Sequence, residues 1–175
     1  KQGYEIAKSL SKKGFDTTLV LGPTNLEIND DINLIKVETA EEMFQATLNN
    51  LPADVAIFSA DVGDYKAKKI AEIKIKKQDK INIELEKNVD ILNYVSNHNS
   101  LRPKLVVGFA AETNNLENYA NEKLNEKNCD WIVANDVSNK KIGFDSNFNE
   151  VSIFYKNKKT DKLKYKPKSE ISDEL

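Results

Sequence analysis

The apolar residues of this chain change period repeatedly, helical in one stretch and strand-like in the next, and this alternation points to an α/β fold in which helices join largely parallel strands. Ile6, Ala7 and Leu10 share one helical face and Gly14 follows at a C-terminal stop, which predicts a helix over residues 2–13. Thr17 to Leu21 reads as a strand, Gly22-Pro23 as a turn, and Leu34 to Val37 as a second short strand. Thr39 and Glu42 have capping-box spacing ahead of a helix through Met43, Phe44 and Leu48 that ends near Asn50. Val55-Ala56-Ile57-Phe58 is a continuous apolar run, the pattern of a parallel strand covered on both faces. Lys104 to Phe109, Leu116 to Lys127 and Trp131 to Ala134 continue the rhythm as strand, helix and strand. Val151 to Tyr155 and Lys162 to Tyr165 predict a closing antiparallel pair at one edge, and a last helix is expected after Pro167.

One connection breaks the rhythm. About thirty residues separate Phe58 from the next helix, started near Asp90, where roughly two to six normally suffice. Within them Ile81 to Leu85 alternates apolar and polar residues, so a hairpin or flap projecting from the sheet is expected. The expected fold class is therefore α/β, a mostly parallel sheet flanked by helices, with an antiparallel edge and a flap-like excursion.

The chain has 175 residues, 39% hydrophobic and 31% charged, the size and composition of one globular domain. A single cysteine, Cys129, closes no intrachain disulfide, and with a single histidine, His98, it cannot assemble a Cys/His zinc site. Only an all-carboxylate metal site stays open, and no metal ligands are assigned. Cys129 reads as a packed thiol and His98 as part of a polar helix end. The 26 basic and 28 acidic residues argue against an extended nucleic-acid surface but leave room for a local anion pocket. No apolar run approaches the roughly 18 residues of a membrane span. A cytoplasmic chain with neither membrane nor nucleic-acid partner is expected.

Ligands of doubly wound sheets gather at the carboxyl ends of the strands. There stand Ser59 to Tyr65, Gly108 to Thr113, and Ala134 to Ser138, with Asp64, Glu112 and Asp136 able to orient a ribose, a base or a cation. Turn and cap chemistry accounts equally for any one of these segments. Lys74, in the excursion, could neutralise phosphate or a developing carboxyl charge, or be a solvated lysine in a lysine-rich chain. Lys123 and Lys127 fall inside the arc expected to be buried by Leu116, Tyr119, Ala120 and Leu124. Lysines so placed need an anionic partner or a path to solvent at the helix end.

Six segments, in this order and spacing, carry a resemblance over nearly the whole chain: Ala60-Asp61-Val62-Gly63-Asp64-Tyr65, Lys74-Ile75-Lys76-Lys77, Asn88-Val89-Asp90-Ile91-Leu92, Gly108-Phe109-Ala110-Ala111-Glu112-Thr113, Lys123-Leu124-Asn125-Glu126-Lys127 and Ala134-Asn135-Asp136-Val137. They resemble phosphopantothenate-cysteine ligase, also called phosphopantothenoylcysteine synthetase, the carboxyl-terminal half of the bifunctional bacterial coenzyme A biosynthesis flavoprotein. The resemblance implies a Rossmann-like homodimeric enzyme. CTP activates the 4'-phosphopantothenate carboxylate as an acyl-cytidylate with release of pyrophosphate, and the amine of L-cysteine then displaces CMP. Magnesium is implied with CTP, and FMN only in a decarboxylase domain that lies outside this chain.

Carried onto matching positions, the resemblance places Phe58, Ser59, Ala60 and Asp64 in the CTP site together with Val89, Asp90, Ile91 and Leu92. Phe109 completes the apolar wall, Lys123 and Lys127 face the triphosphate, and Lys74, also counted with the CTP-site residues, is the catalytic lysine at the reacting oxygens. Asp61 and Gly63 stand where the family usually has alanines, and Val89 where it usually has proline. The family also begins with a strand, a glycine-rich turn and an Asn-X-Ser-Ser-Gly stretch that binds phosphopantothenate and holds a catalytic asparagine. This chain starts after them, so a single ligase domain over 1–175 lacking its N-terminal strand and turn, and inactive as this piece, is expected. Two alternatives are an NAD(P)-dependent Rossmann oxidoreductase, for which no Gly-X-Gly-X-X-Gly turn is present, and a nucleotide-binding assembly module without catalysis.

Overall fold

The computed structural model describes residues 1–28, 32–69, 71, 73–77, 79–138 and 146–175. Local chemistry sets the helix ends. Helix α1 (Gln2–Lys12) stops before Gly14, whose φ of 86° lies in the left-handed region that glycine enters freely. Helix α2 (Ala40–Asn49) starts in a complete capping box: the Thr39 side chain accepts from the Glu42 N–H while the Glu42 carboxylate accepts from the Thr39 N–H. Helix α3 (Ile91–Ser96) is capped by Asp90, helix α4 (Leu116–Glu126) follows Asn115, and α5 (Lys168–Glu174) begins directly after Pro167.

The strands are β1 (Thr18–Leu21), β2 (Asn33–Lys36), β3 (Val55–Phe58), β4 (Tyr65–Ala67), β5 (Leu85–Lys87), β6 (Leu105–Glu112), β7 (Trp131–Asp136), β8 (Phe148–Tyr155) and β9 (Thr160–Pro167). The main sheet has the order β3-β6-β7-β8-β9, with β3, β6 and β7 parallel and β8 and β9 antiparallel. That is the mostly parallel sheet with an antiparallel edge read from the sequence. β1 and β2 pair with each other in parallel and form a separate sheet. On the outer edge β9 carries Lys162 and Lys164, both exposed.

Strand alternation divides the main core between two faces. Val106, Ala110, Ile132, Ala134 and Phe154 meet Ala120 and Leu124 of α4 and the fully buried Cys129, whose thiol burial pushes up to about 11. Val107, Val133, Val151 and Ile153 meet Ile171 of α5 on the other. Gly108 is required at the first face, where a Cβ would stand 2.7 Å from the Ile132 Cδ1 and 2.9 Å from a Leu92 methyl. Phe58 joins this core to a third cluster of Phe44, Ile91 and Val95, and so fixes α2 and α3 beside the carboxyl end of β3.

Two expectations change. The flap forms, but its paired strands are Tyr65–Ala67 and Leu85–Lys87; Ile81 to Glu84 is not in a strand, and Ile81 and Ile83 are exposed. Ion pairs from Lys66 to Glu86 and to Glu41 of α2, and from Lys68 to Glu84, secure the base of the flap. Tyr119 lies outside the buried arc, 41% exposed, because it stands about 100° around α4 from Ala120.

Candidate functional site

Among the described residues β1 pairs only with β2 and β3 only with β6, so each keeps one strand edge unused. A cleft of about 1380 Å³ is lined by Thr18, Leu19 and Val20 of β1, by all of β3, and by Ile6, Ala7 and Leu10 of α1. The first turn of α1 reaches the carboxyl end of β3. A Cβ at Gly3 would fall 2.3 Å from the Ser59 Oγ, so glycine permits this approach.

The same cleft gathers the residues that the resemblance singles out. Phe58, Ser59, Ala60, Asp64, Val89, Asp90, Ile91, Leu92, Phe109, Lys123 and Lys127 all line it, and so does Asp61, whose side chain is exposed. Lys74 does not. It is exposed on the excursion, outside the cleft lining. Glu112 and Asp136 also lie outside that lining, where they face each other in register across β6 and β7. Asp136 accepts from the Ser138 hydroxyl and N–H, which hold its carboxyl below the usual range, so local turn chemistry accounts for it.

The two lysines on α4 differ. The Lys127 ammonium stands 2.7 Å from the Asp90 Oδ2, which supplies the anionic partner its position on the helix requires. Asp90 also accepts from the Asn93 N–H at 2.9 Å through Oδ1. Burial pushes the Asp90 carboxyl up, but the hydrogen bonds from Lys127 and Asn93 and the charges of Lys127 and Lys123 outweigh it and hold the group below its ordinary value. The hydrogen bond to Asp90 raises Lys127 against the opposing effect of burial. Lys123, one turn earlier, forms no ion pair among the described residues and lines the cleft.

A brace behind this pair was not recognised in the sequence. The Ser96 hydroxyl donates to the Lys127 carbonyl, tying the end of α4 to the end of α3. Arg102 donates to the carbonyls of Ser96, Pro103 and Asn128 and to the Asp130 carboxylate, which also accepts from the Val106 N–H. Arg102 is the only arginine in a lysine-rich chain, and that was the available signal: a planar fork of donors serves several acceptors at once and an ammonium does not. Arg102→Lys is expected to cost about 2 kcal/mol. A Tm lower by roughly 4–8 °C would show this in thermal denaturation, and an unchanged Tm would refute the brace.

The group implied with CTP is Mg2+. No three carboxylate, histidine or cysteine side chains converge among the described residues. Asp64 suits a magnesium ion carried chiefly by phosphate oxygens, since this ion commonly takes one or two carboxylates and keeps its remaining waters, whereas both Asp90 oxygens are engaged by Lys127 and Asn93. No helix among the described residues is long and apolar enough to cross a membrane.

The profile of the family described as DNA/pantothenate metabolism flavoprotein C-terminal domain matches residues 1–175. The coenzyme A biosynthesis bifunctional protein CoaBC of Haemophilus influenzae is 42% identical over 177 residues, covering 100% of this chain and 44% of that protein. Its namesake in Escherichia coli K12 is 42% identical over 161 residues, covering 89% and 39%. The chain thus spans less than half the length of these relatives. The crystal structure of the C-terminal domain of a CoaBC protein superimposes with a TM-score of 0.79 at 35% identity, covering 99% of this chain and 77% of that one. A Cab2 mutant in complex with phosphopantothenate-cysteine shares the fold with a TM-score of 0.73 at 14% identity, covering 98% and 74%.

Proposed function

We propose, from the premise that this chain belongs to the DNA/pantothenate metabolism flavoprotein C-terminal domain family, that it is a cytoplasmic phosphopantothenate-cysteine ligase domain that uses CTP. The phosphopantothenate carboxylate attacks the α-phosphorus of CTP and pyrophosphate leaves; a Mg2+ ion on the phosphates would offset their charge. The cysteine amine then attacks the acyl carbon of the acyl-cytidylate, loses a proton, and CMP departs with the electrons of the broken C–O bond. The observation that carries the reading is the joining of an apolar wall, the lysines Lys123 and Lys127, and the carboxylates Asp61, Asp64 and Asp90 in one cleft at the carboxyl end of β3.

In this reading Phe58, Ser59, Ala60 and Asp64, with Val89 to Leu92 and Phe109, receive the nucleoside, and Lys123 and Lys127 receive the triphosphate. Lys74 comes to the reacting oxygens from the flap. The strand that the resemblance places ahead of α1 enters the cleft between β1 and β3, and its turn supplies the phosphopantothenate site. Homodimerisation covers exposed flap side chains such as Ile73, Ile75 and Ile83.

Thermal denaturation with nucleotides tests the proposal. CTP at 100 times its Kd is expected to stabilise the chain by about 2.7 kcal/mol, and NAD at the same concentration to do nothing. Stabilisation by NAD without an effect of CTP would overturn the ligase reading in favour of an oxidoreductase.

A further inference from the structure

Lys127 is held at both ends by the same short helix. Its carbonyl accepts from Ser96 at the last position of α3, and its ammonium lies 2.7 Å from Asp90 at the cap of that helix. Asp90 is itself anchored, because its second oxygen accepts from the Asn93 N–H. The pair is neither dry nor free in water, with side-chain exposures of 28% for Lys127 and 44% for Asp90. Both residues line the cleft.

This geometry has a consequence for any anion that enters. A phosphate that takes Lys127 from Asp90 leaves a fixed carboxylate beside a like charge, and a carboxylate fixed by a backbone N–H cannot follow its lysine away. The separation is compensated only when the same ligand gives Asp90 a hydrogen-bond donor. A fully ionised polyphosphate has no such donor, whereas a nucleotide carries hydroxyl and amino groups. Lys123 presents the opposite case, a cation without an ion-pair partner among the described residues that attracts either ligand alike.

We propose that the Asp90–Lys127 pair selects its ligand by exchange: Lys127 passes to a phosphate, Asp90 takes a hydroxyl or amino donor of the same molecule, and inorganic polyphosphate is rejected. This rests on the nucleotide reading above and adds a specificity-determining role for Asp90. Asparagine and serine are both good caps for α3, so Asp90→Asn and Asp90→Ser remove the charge and keep the helix start.

Calorimetric titration of wild type and both variants with sodium tripolyphosphate and with CTP, at one ionic strength and at a pH alkaline enough to ionise tripolyphosphate fully, tests the exchange. Both variants are expected to bind tripolyphosphate about tenfold more tightly, the scale of removing a screened like charge a few ångström away. CTP binding is expected to gain nothing, so the preference for CTP falls about tenfold or more. An equal gain for both ligands would mean simple repulsion without exchange, and weaker binding of both would mean that Asp90 only positions Lys127; either overturns the proposal. If wild type does not bind CTP, the nucleotide reading fails by itself. The tripolyphosphate titration then still decides whether Asp90 rejects inorganic anions, since an unchanged affinity in both variants refutes that.

Discussion

Lys74→Ala is expected to lower the turnover of cysteine ligation by about 10²- to 10³-fold, the range for losing one preorganised electrostatic stabiliser, while CTP affinity stays within about twofold. The separation follows from where the residue stands. Lys74 is exposed on the excursion and contributes nothing to the cleft lining, so the ground-state nucleotide site is intact without it. An ammonium brought to the reacting oxygens only during the reaction stabilises charge that develops there, and its loss appears in kcat. Cysteine-dependent CMP formation and calorimetric CTP binding, measured on the same protein carrying the strand ahead of α1, check both halves. Unchanged turnover would make Lys74 a solvated lysine, and an equal loss in binding would place it in the nucleotide site.

The second large effect concerns the cleft between β1 and β3. The chain beginning at Lys1 is expected to bind CTP but to form no phosphopantothenoylcysteine, and extension upstream through one strand and its turn is expected to give ligation. β1 and β3 present unused edges to the cleft, and Ile6, Ala7 and Leu10 of α1 supply an apolar cover. The Gly3 and Ser59 contact puts the start of α1 at the carboxyl end of β3, where a strand parallel to β3 would deliver its chain. The order β2-β1-new strand-β3-β6-β7 then becomes one doubly wound sheet. A few added ladder hydrogen bonds, each worth about 1 kcal/mol net, raise the stability by roughly 3 kcal/mol. For a chain of this size that is a Tm higher by about 6–12 °C. Full activity from Lys1 onward, or an extended chain that melts no later, would refute the placement.

The helices and strands were legible wherever one local rule decided them. Thr39 and Glu42 formed the capping box their spacing announces, and Val55 to Phe58 is a parallel strand with the same limits in sequence and structure. The flap was legible as an excursion because its length is conspicuous. Its register was not, because alternation at Ile81 to Leu85 says that a strand is compatible there and cannot say which partner is opposite. The burial of Lys127 could be read from helical period, and its need for an anion followed. That the anion is Asp90 depends on the crossing of α3 and α4, fixed by Ser96 and Arg102 across the fold. Ser59 to Asp64 could be placed near the site by their position after a strand, whereas the open edge beside them belongs to pairing and leaves no local mark.

The two sides of the main sheet differ in how they meet other molecules. β9 ends one side with the exposed ammonium groups of Lys162 and Lys164, which an apolar strand brought alongside would have to desolvate. β3 ends the other with Val55 to Phe58, uncharged and apolar. Stacking of sheets side by side, lysine edge to apolar edge, is therefore blocked at one contact in every pair. Exchange through the cleft is not. When many copies of a chain carrying the strand ahead of α1 refold together, that strand of one molecule can enter the gap of the next, and its own gap remains for a third, so the product grows in one direction without closing. Losses on refolding should accordingly rise with protein concentration and fall when a short apolar peptide occupies the gap.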